Sequence, residues 1–213
     1  MPLERLDRVV PEPPHKPEMA GDDHPMRKVT REVAFYDGGW TPERAGKVAA
    51  LFNELAPVWN ERTDSHRLDP LEDALERGGP IPGGVCLEIG CGTCRAADRL
   101  CERFSTVVEL DISLEMLKQA SPARAFRILA DAAQLPLPDR SSQCVIMVNA
   151  LLFPREVDRV LAEEGVVIWV STLGNCTPIY LPVEDVIAAL PGYWGGVASE
   201  AAWGTWGVLR RES

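Results

Sequence analysis

The strongest constraint on this chain is the stretch from residue 85 to residue 95, which reads Val-Cys-Leu-Glu-Ile-Gly-Cys-Gly-Thr-Cys-Arg. A short apolar run reaches the acid Glu88, breaks into a turn at Gly90 and Gly92, and continues into a helix-compatible segment over residues 95–104. Glycines let the backbone approach a ligand without a Cβ in the way, and a helix start offers unpaired N–H groups to an anionic group. This order of strand, glycine turn and helix predicts a nucleotide-type cradle in an α/β sheet.

Three further apolar strands downstream also end in polar residues. The second strand ends at Asp111, about 20 residues beyond the turn, where a carboxylate can accept two hydrogen bonds from a ribose diol. The third ends at Asp131, whose side chain can accept from an exocyclic amine such as that of adenine, and the fourth ends at Asn149. Because ligands of open parallel sheets lie outside the carboxyl ends of the strands, we expect all three residues and Glu88 to face one crevice.

Three sequence segments together resemble one family. They are Leu-Glu-Ile-Gly-Cys-Gly-Thr, then Glu-Leu-Asp-Ile-Ser-Leu-Glu-Met-Leu at 109–117, then Asp-Ala-Ala-Gln-Leu-Pro-Leu-Pro-Asp at 131–139. In this order they are similar to the small-molecule branch of the class I S-adenosylmethionine-dependent methyltransferases, with a resemblance that covers roughly residues 45–211. It implies an α/β fold: a Rossmann-like, doubly wound seven-stranded sheet, mostly parallel with an antiparallel C-terminal strand, in the order 3-2-1-4-5-7-6, plus N-terminal helices.

The resemblance also implies a cofactor, a reaction and a set of binding residues. The cofactor is S-adenosyl-L-methionine, and the reaction is methyl transfer to a small-molecule acceptor by direct in-line displacement. The turn and its acid are expected to hold the methionyl end, the second strand end the ribose, the third strand end the adenine, and an aromatic residue of the N-terminal helices the cofactor face. The expected cofactor-binding residues are Glu88, Gly90, Cys91, Gly92, Asp111, Ile112, Asp131, Ala132, Asn149 and Phe52.

The chain departs from the family pattern at several points. Cys94 stands where the family usually has a third glycine or small residue, and Gln143 stands where an acid often enters the fourth strand. The crossover at 150–164 is short and predicts one helix over 155–162. These departures leave open a catalytically inactive module that binds S-adenosylmethionine or S-adenosylhomocysteine. A nicotinamide-dependent oxidoreductase is the other alternative, although its fingerprint needs a glycine at the position of Arg95.

No catalytic residue is assigned from the sequence. A sulfonium methyl is already activated, so the enzyme mainly has to hold donor and acceptor in line, and a base helps only for a hydroxyl or protonated amine. Asn149, His66 and Tyr180 are candidates. The simpler readings are that Asn149 caps a turn and that His66 is an exposed loop histidine.

The pattern along the chain predicts three segments. Residues 1–30 are rich in proline and charge and predict a disordered tail. Residues 31–80 predict a helical lid, whose helices begin at Thr41-Pro42 and Asp69-Pro70. Residues 81–213 predict the S-adenosylmethionine-binding methyltransferase domain.

Charge and hydropathy exclude several classes of partner. The 22 basic and 32 acidic side chains give a net charge of −10 without a basic cluster, which argues against nucleic acid and for a neutral or cationic small molecule. We also expect no membrane partner and a cytoplasmic protein, because the chain lacks a bilayer-length apolar run and the apolar region of a signal peptide.

The cysteines and C-terminal tryptophans each have a functional and a structural reading. Cys91 and Cys94 form a C-x-x-C motif, which is a redox or zinc signature, but small inert residues of a reducing compartment explain them more simply. No second pair lies at zinc-like spacing, so we expect no metal. Trp194, Trp203 and Trp206 predict core packing or a subunit interface rather than substrate stacking, which leaves a homodimer open.

Overall fold

A computed structural model describes residues 2–15, 24–62 and 65–212 of the chain. The strands and α-helices of these ranges are β1 (Leu3–Arg5), α1 (Pro25–Phe35), α2 (Pro42–Trp59), α3 (Asp69–Arg77), β2 (Val85–Ile89), α4 (Ala97–Arg103), β3 (Thr106–Asp111), α5 (Leu114–Lys118), β4 (Phe126–Leu129), β5 (Ser142–Val148), α6 (Pro154–Val160), β6 (Leu161–Ser171), α7 (Val183–Ala189), β7 (Trp194–Ala201) and β8 (Gly204–Arg211). Short 3₁₀ turns lie at Asn60–Arg62, Ser65–Leu68 and Gly174–Cys176.

The strands form one mixed sheet in the order β1-β7-β8-β6-β5-β2-β3-β4. Strands β6, β5, β2, β3 and β4 are parallel to one another, and β8 is antiparallel to both β6 and β7. The predicted α/β class and the predicted order of the seven strands β2 to β8 are therefore confirmed. The strand count was wrong by one, because β1 adds to the outer edge of β7.

The prediction that residues 1–30 are a disordered tail is wrong where the structure describes them. Leu3 pairs with Gly196 and Arg5 with Ala198, and the Leu6 N–H continues the ladder to the Ala198 carbonyl at 2.9 Å. An edge strand has unpaired N–H and C=O groups, and the N-terminal segment satisfies those of β7. Helix α1 begins at Pro25, inside the same predicted tail. The rest of that prediction, over 16–23, lies outside the described residues.

The core lies on both faces of the parallel strands. On one face Leu87, Val145 and Trp169 pack with helices α6 and α7, and on the other Cys86 and Ile168 pack with α3 and α4. Strands that are covered on both faces read as continuous apolar runs, which is why β5 and β6 are apolar at almost every position. This two-sided cover fixes the sheet as a rigid platform for its carboxyl edge.

The local signals for the helices operate as the sequence predicts. Thr41 accepts a hydrogen bond from the Arg44 N–H at 3.3 Å and caps α2. Helix α3 begins at Asp69, and its C-cap Gly78 donates to the Ala74 carbonyl. The crossover helix is confirmed as the short helix α6. Strand β6 begins directly after this helix, at Leu161.

Two of the three C-terminal tryptophans, Trp194 and Trp206, belong to the core rather than to a binding surface. Trp206 is fully buried, and its indole Nε1 donates to the Asp73 carboxylate at 2.7 Å. Trp194 is buried and donates to the Pro191 carbonyl at 2.7 Å. Among the described residues, none of the helices is both long and apolar enough to cross a lipid bilayer.

Candidate functional site

The turn after β2 has a backbone that requires glycine. Gly90 and Gly92 have left-handed φ angles of +70° and +57°. A Cβ at Gly90 would lie 2.8 Å from the Cβ of Ala150, so the turn approaches the end of β5 too closely for any side chain. The N–H groups of Gly90 and Cys91 both donate to the Leu110 carbonyl, at 2.8 and 3.1 Å. These bonds fix the turn against the end of β3 and keep its outer surface free of side chains.

The position that departs from the family pattern has a glycine-like backbone. Cys94 has a φ of +57°, a conformation that L-residues adopt at a cost of about 1–2 kcal/mol. Its N–H donates to the Cys91 carbonyl at 2.9 Å, and the two buried sulfur atoms lie 3.4 Å apart as free thiols. Within the described ranges, no group of three or more histidine, cysteine, aspartate or glutamate residues is arranged to hold a metal ion.

Glu88 ends β2 as a buried carboxylate with an unused oxygen. The residue is 3% exposed, and its Oε2 has no hydrogen-bond partner in the part of the chain that is described. Burial raises the pKa of Glu88 well above its usual value, and the carboxylates of Glu109 and Asp111 raise it further. A buried carboxylate is costly unless a hydrogen-bonded or cationic group meets it. The position therefore favours a cationic ligand.

Asp111 ends β3 and anchors two loops at once. Its Oδ2 accepts from the Gly92 N–H and its Oδ1 from the Ser113 N–H, both at 2.8 Å. Burial raises the pKa of Asp111, while hydrogen bonds from the backbone N–H groups of Ser113, Gly92 and Ile112 oppose that rise. A carboxylate has about four acceptor positions, so Asp111 keeps acceptor capacity for a ribose hydroxyl.

Asp131, after β4, has a partner that the sequence did not predict. The indole Nε1 of Trp40 donates to its Oδ1 and Oδ2 at 3.0 and 2.8 Å, and the Ala133 N–H donates to Oδ1 at 2.9 Å. The Trp40 ring meets the Phe153 ring edge to face, with centroids 5.3 Å apart. Trp40 precedes the cap of α2 and belongs to no periodic pattern, so no sequence signal pointed to it.

One cavity of about 490 Å³ lies over the carboxyl edge of the sheet. All ten residues that were predicted to bind a cofactor line it, although their individual contacts with a ligand stay a prediction. The lining also includes residues that the sequence analysis did not select, from the segment before α1, from both ends of α2 and from the loop after β6. Among these are His24, Met26, Trp40, Trp59, Thr177 and Ile179.

The three catalytic candidates lie in different places. Asn149 lines the cavity, but its amide is already engaged, because it donates to Thr172 Oγ1 at 2.8 Å and accepts from the Thr172 N–H at 2.9 Å. It therefore joins the ends of β5 and β6. His66 pairs with Asp69 at 2.9 Å and does not line this cavity. Tyr180 is also outside the lining, and burial raises its pKa. Of the three candidates, His66 and Tyr180 therefore do not line this cavity.

The segment from Trp40 to Asn60 is hydrogen-bonded to each of the three loops that follow β2, β3 and β4. Because one bond reaches each loop, this segment and the carboxyl edge of the sheet form the two walls of the cavity. The three bonds run from Thr93 Oγ1 to Asn60 Oδ1 (2.7 Å), from Ser113 Oγ to Asn53 Oδ1 (2.7 Å) and from Trp40 Nε1 to Asp131 Oδ2 (2.8 Å).

One wall of the cavity is apolar and aromatic. Its residues belong to one hydrophobic cluster, and they are Met26, Trp40, Phe52, Leu151, Phe153 and Ile179. Two polar groups interrupt this wall. Thr177 is 4% exposed, and its Oγ1 has no hydrogen-bond partner among the described residues. His24 Nδ1 accepts from the Met26 N–H at 3.2 Å, so the proton of the neutral ring is on Nε2.

A cavity at the carboxyl end of a parallel sheet, with a glycine turn and acids on successive strands, defines a class of α/β proteins that bind nucleoside-containing cofactors. The family model described as "Methyltransferase domain" matches residues 87–168, which include the glycine turn and the strands β3 to β5. Over this part of its length the chain is similar to the class I S-adenosylmethionine-dependent methyltransferases.

The chain is similar to several characterised proteins along part of its length. It is 29% identical over 127 residues to a demethylmenaquinone methyltransferase of Renibacterium salmoninarum, covering 57% of this chain and 54% of that protein. It is 26% identical over 162 residues to a ubiquinone biosynthesis O-methyltransferase of Chromobacterium violaceum, covering 66% and 70%. The chain thus spans about half the length of the first of these relatives.

The solved structures support the fold. The DhpI–SAH complex matches with a TM-score of 0.65 at 19% identity, over 78% of this chain and 96% of that one. At this level of identity the likeness concerns the fold alone.

The residues present fit the cofactor that the family implies. Glu88 has an unused carboxylate oxygen for a cationic amino group, and Asp111 keeps acceptor capacity for a ribose hydroxyl. There is no room for a Cβ at Gly90, and the turn therefore has no side chain at this position that could obstruct a ligand. The donor set therefore suits S-adenosylmethionine, which has an ammonium group, a sulfonium and a ribose.

Proposed function

We propose that this protein transfers the methyl group of S-adenosylmethionine to a small-molecule acceptor by direct in-line displacement. One observation carries the proposal: a single cavity is lined both by carboxylates, including a buried Glu88 oxygen with no hydrogen-bond partner among the described residues, and by an apolar aromatic wall. The carboxylates suit a cationic nucleoside cofactor, and the aromatic wall suits a less polar acceptor.

In this proposal each strand end of the cavity lining has one task. Glu88 and the backbone from Gly90 to Gly92 hold the methionyl end, Asp111 the ribose hydroxyls, and Asp131 with the Ala132 backbone the adenine, beside Ile112. Phe52, from α2, covers the cofactor from the lid. When bound, the cofactor supplies a methyl group that the sulfonium has already activated.

The protein's own contribution to the reaction is proximity, orientation and exclusion of water. Placing donor and acceptor in line can supply about 7–11 kcal/mol of the barrier without covalent catalysis. Asn149 joins the ends of β5 and β6 and so acts as a positioning residue beneath the acceptor. The helical segment excludes water because its aromatic side chains line the cavity over the sheet edge.

For the acceptor, we propose a ring compound with an oxygen, of the quinol kind. Two of the relatives are named for demethylmenaquinone and for ubiquinone biosynthesis, which places such rings among the compounds associated with similar proteins. The aromatic wall suits a flat apolar ring, and the unpartnered Thr177 hydroxyl and the protonated Nε2 of His24 are groups that can bind its oxygen.

The test is the formation of S-adenosylhomocysteine, followed by mass spectrometry, with S-adenosylmethionine and a panel of acceptors that includes 1,4-naphthalenediol, an amine and a thiol. We expect turnover with the diol. The D111A protein should lose it, and the D98A protein, altered at an exposed aspartate outside the cavity lining, should keep it. Tight cofactor binding without turnover on any acceptor would favour the inactive binding module instead.

A further inference from the structure

We propose that Cys91 and Cys94 are a disulfide-forming modification site within the cofactor turn, and that peroxide is the oxidant. The C-x-x-C motif has no task in methyl transfer, and both thiols are free and buried. Their sulfur atoms lie 3.4 Å apart, with only Gly92 and Thr93 between them in the chain.

The backbone already has the geometry that a disulfide needs. The hydrogen bond from the Cys94 N–H to the Cys91 carbonyl, at 2.9 Å, closes a four-residue turn. Such a turn brings its end Cα atoms within about 7 Å, which overlaps the range of about 4.4–6.8 Å found across disulfides. The sulfur atoms have to approach from 3.4 Å to about 2.05 Å. Rotations of the two side chains and a small adjustment of the turn achieve this.

The surroundings of Cys94 provide the proton acceptor that the reaction needs. Its thiol lies near the buried Glu109 carboxylate and the guanidinium of Arg127, which pairs with Glu109 at 3.1 Å. Burial raises the pKa of Glu109, which makes its carboxylate a better acceptor for a thiol proton.

Cys91 is the sulfur that an oxidant reaches, because it lines the cavity. Its sulfur attacks one peroxide oxygen, the O–O bond breaks, and the thiol proton leaves with the departing oxygen as water, which makes a sulfenic acid. Cys94 gives its proton to Glu109 and attacks the sulfur of Cys91. The S–O bond breaks, and the released hydroxide takes the proton back as a second water. One peroxide is reduced, and two thiols are oxidised to one disulfide.

The protonation of the Cys91 thiol sets the rate at which Cys91 reacts with peroxide. The hydrogen bond with Cys94, followed by burial, raises the pKa of the Cys91 thiol. The first step is therefore slow at neutral pH, and the pair stays reduced until peroxide persists.

The modification acts on the cofactor site through the turn itself. Between the two cysteines, the Gly92 N–H donates to Asp111 at 2.8 Å, so a new cross-link displaces a backbone that is fixed to the proposed ribose-binding residue. A ligand in the cavity in turn covers Cys91. The disulfide then weakens the affinity for the cofactor, and bound cofactor disfavours the disulfide by the same factor. This last step rests on the proposed cofactor site, whereas disulfide formation does not.

The test treats the reduced protein with hydrogen peroxide and measures intact mass and alkylated peptides. We expect a loss of two hydrogens that maps to a Cys91–Cys94 link and is reversed by dithiothreitol. The C91S, C94S and C94G proteins should not form it. The C94G protein lacks the thiol, and its glycine adopts the left-handed backbone conformation of this position without strain. C101S is the matched control and should behave as the unaltered protein, because half-exposed Cys101 is outside the turn.

Binding is measured on the same samples by calorimetry with S-adenosylhomocysteine. Saturating ligand should slow the formation of the link at least about fivefold, and the oxidised protein should bind at least about fivefold more weakly until it is reduced. A turn peptide that stays reduced while Cys101 oxidises would overturn the modification site. A disulfide that leaves the affinity unchanged would overturn its action on the site. Failure of the reduced protein to bind at all would count against the proposed function and would leave the mass result intact.

Discussion

The Trp40 indole donates to both oxygens of the Asp131 carboxylate, at 3.0 and 2.8 Å, and so joins the segment ahead of α2 to the loop after β4. The residue proposed to meet the adenine is thus also a hydrogen-bond partner of the lid. The carboxylate still has acceptor positions left, because its bonds to Trp40 and Ala133 use only part of its capacity.

A pair of variants separates these two tasks of Asp131. W40F removes the indole donor and keeps an aromatic ring, whereas D131A removes both the anchor of the lid and the proposed adenine contact. We expect W40F to weaken S-adenosylhomocysteine binding about threefold, and D131A at least about tenfold, from a charge-assisted bond of about 1.5–3 kcal/mol. Calorimetry provides both affinities. Equal losses in the two proteins would mean that Asp131 acts only through Trp40.

The glycine turn predicts an asymmetry between two substitutions. G90A places a Cβ 2.8 Å from the Cβ of Ala150 at a left-handed φ, whereas the nearest atom to a Cβ at Gly92 is Trp59 Nε1 at 3.7 Å. We expect G92A to cost about 1–2 kcal/mol of unfolding free energy from strain alone, and G90A to cost about 1–3 kcal/mol more from the clash.

A second substitution, at Ala150, should relieve the clash that G90A introduces. Adding A150G to G90A removes the opposing Cβ and should recover most of the extra loss in chemical denaturation, leaving only the strain of the left-handed alanine. If A150G fails to recover stability in the double variant, the close approach of the turn to β5 is not what excludes a side chain at 90.

The buried Glu88 predicts a pH-dependent stability. Because its pKa is raised in the folded protein, its contribution to stability is fully present below the usual glutamate value, 4.5, and is lost as the pH rises through the raised value. The E88Q protein has no carboxyl group to ionise at this position, so it does not lose this stability as the pH rises. Without ligand at neutral pH it should therefore be more stable by about 1–3 kcal/mol in chemical denaturation, while it binds S-adenosylmethionine more weakly. A less stable E88Q protein at neutral pH would show that the carboxylate is satisfied without a ligand.

Removing the Thr177 hydroxyl should also stabilise the protein without ligand and weaken binding, in this case of the acceptor. T177V keeps the shape and removes a buried hydroxyl without a partner, so it should stabilise the protein without ligand by about 1–2 kcal/mol. It should also raise the KM for 1,4-naphthalenediol about threefold to tenfold with kcat largely retained. T106V, at the start of β3 and outside the cavity lining, is the matched control. Thermal unfolding and steady-state kinetics measure the two effects, and an unchanged KM would remove Thr177 from the acceptor site.

The carboxyl edge of the sheet was predictable from the sequence because a parallel sheet brings every strand end to one edge. For that reason Glu88, Asp111, Asp131 and Asn149, read only as the ends of apolar runs, do line one cavity. The strand order followed from the family resemblance.

Other parts of the structure had no such signal. Trp40, His24 and Thr177 reach the cavity from loops, whose positions depend on tertiary packing rather than on a period in the sequence. The three-residue strand β1 is too short to show alternation. His66 was selected by residue type alone, and its pairing with Asp69 holds it outside the cavity lining.

The central claim is that the cavity binds S-adenosylmethionine, and calorimetric titration of the protein with S-adenosylmethionine, S-adenosylhomocysteine and NAD tests it most directly. We predict micromolar binding of both sulfur compounds and none of NAD. The D111A protein should lose at least about tenfold in affinity, and the D98A protein should lose none. Binding of NAD alone, or no binding of either sulfur compound by protein freed of co-purified ligand, would contradict the account.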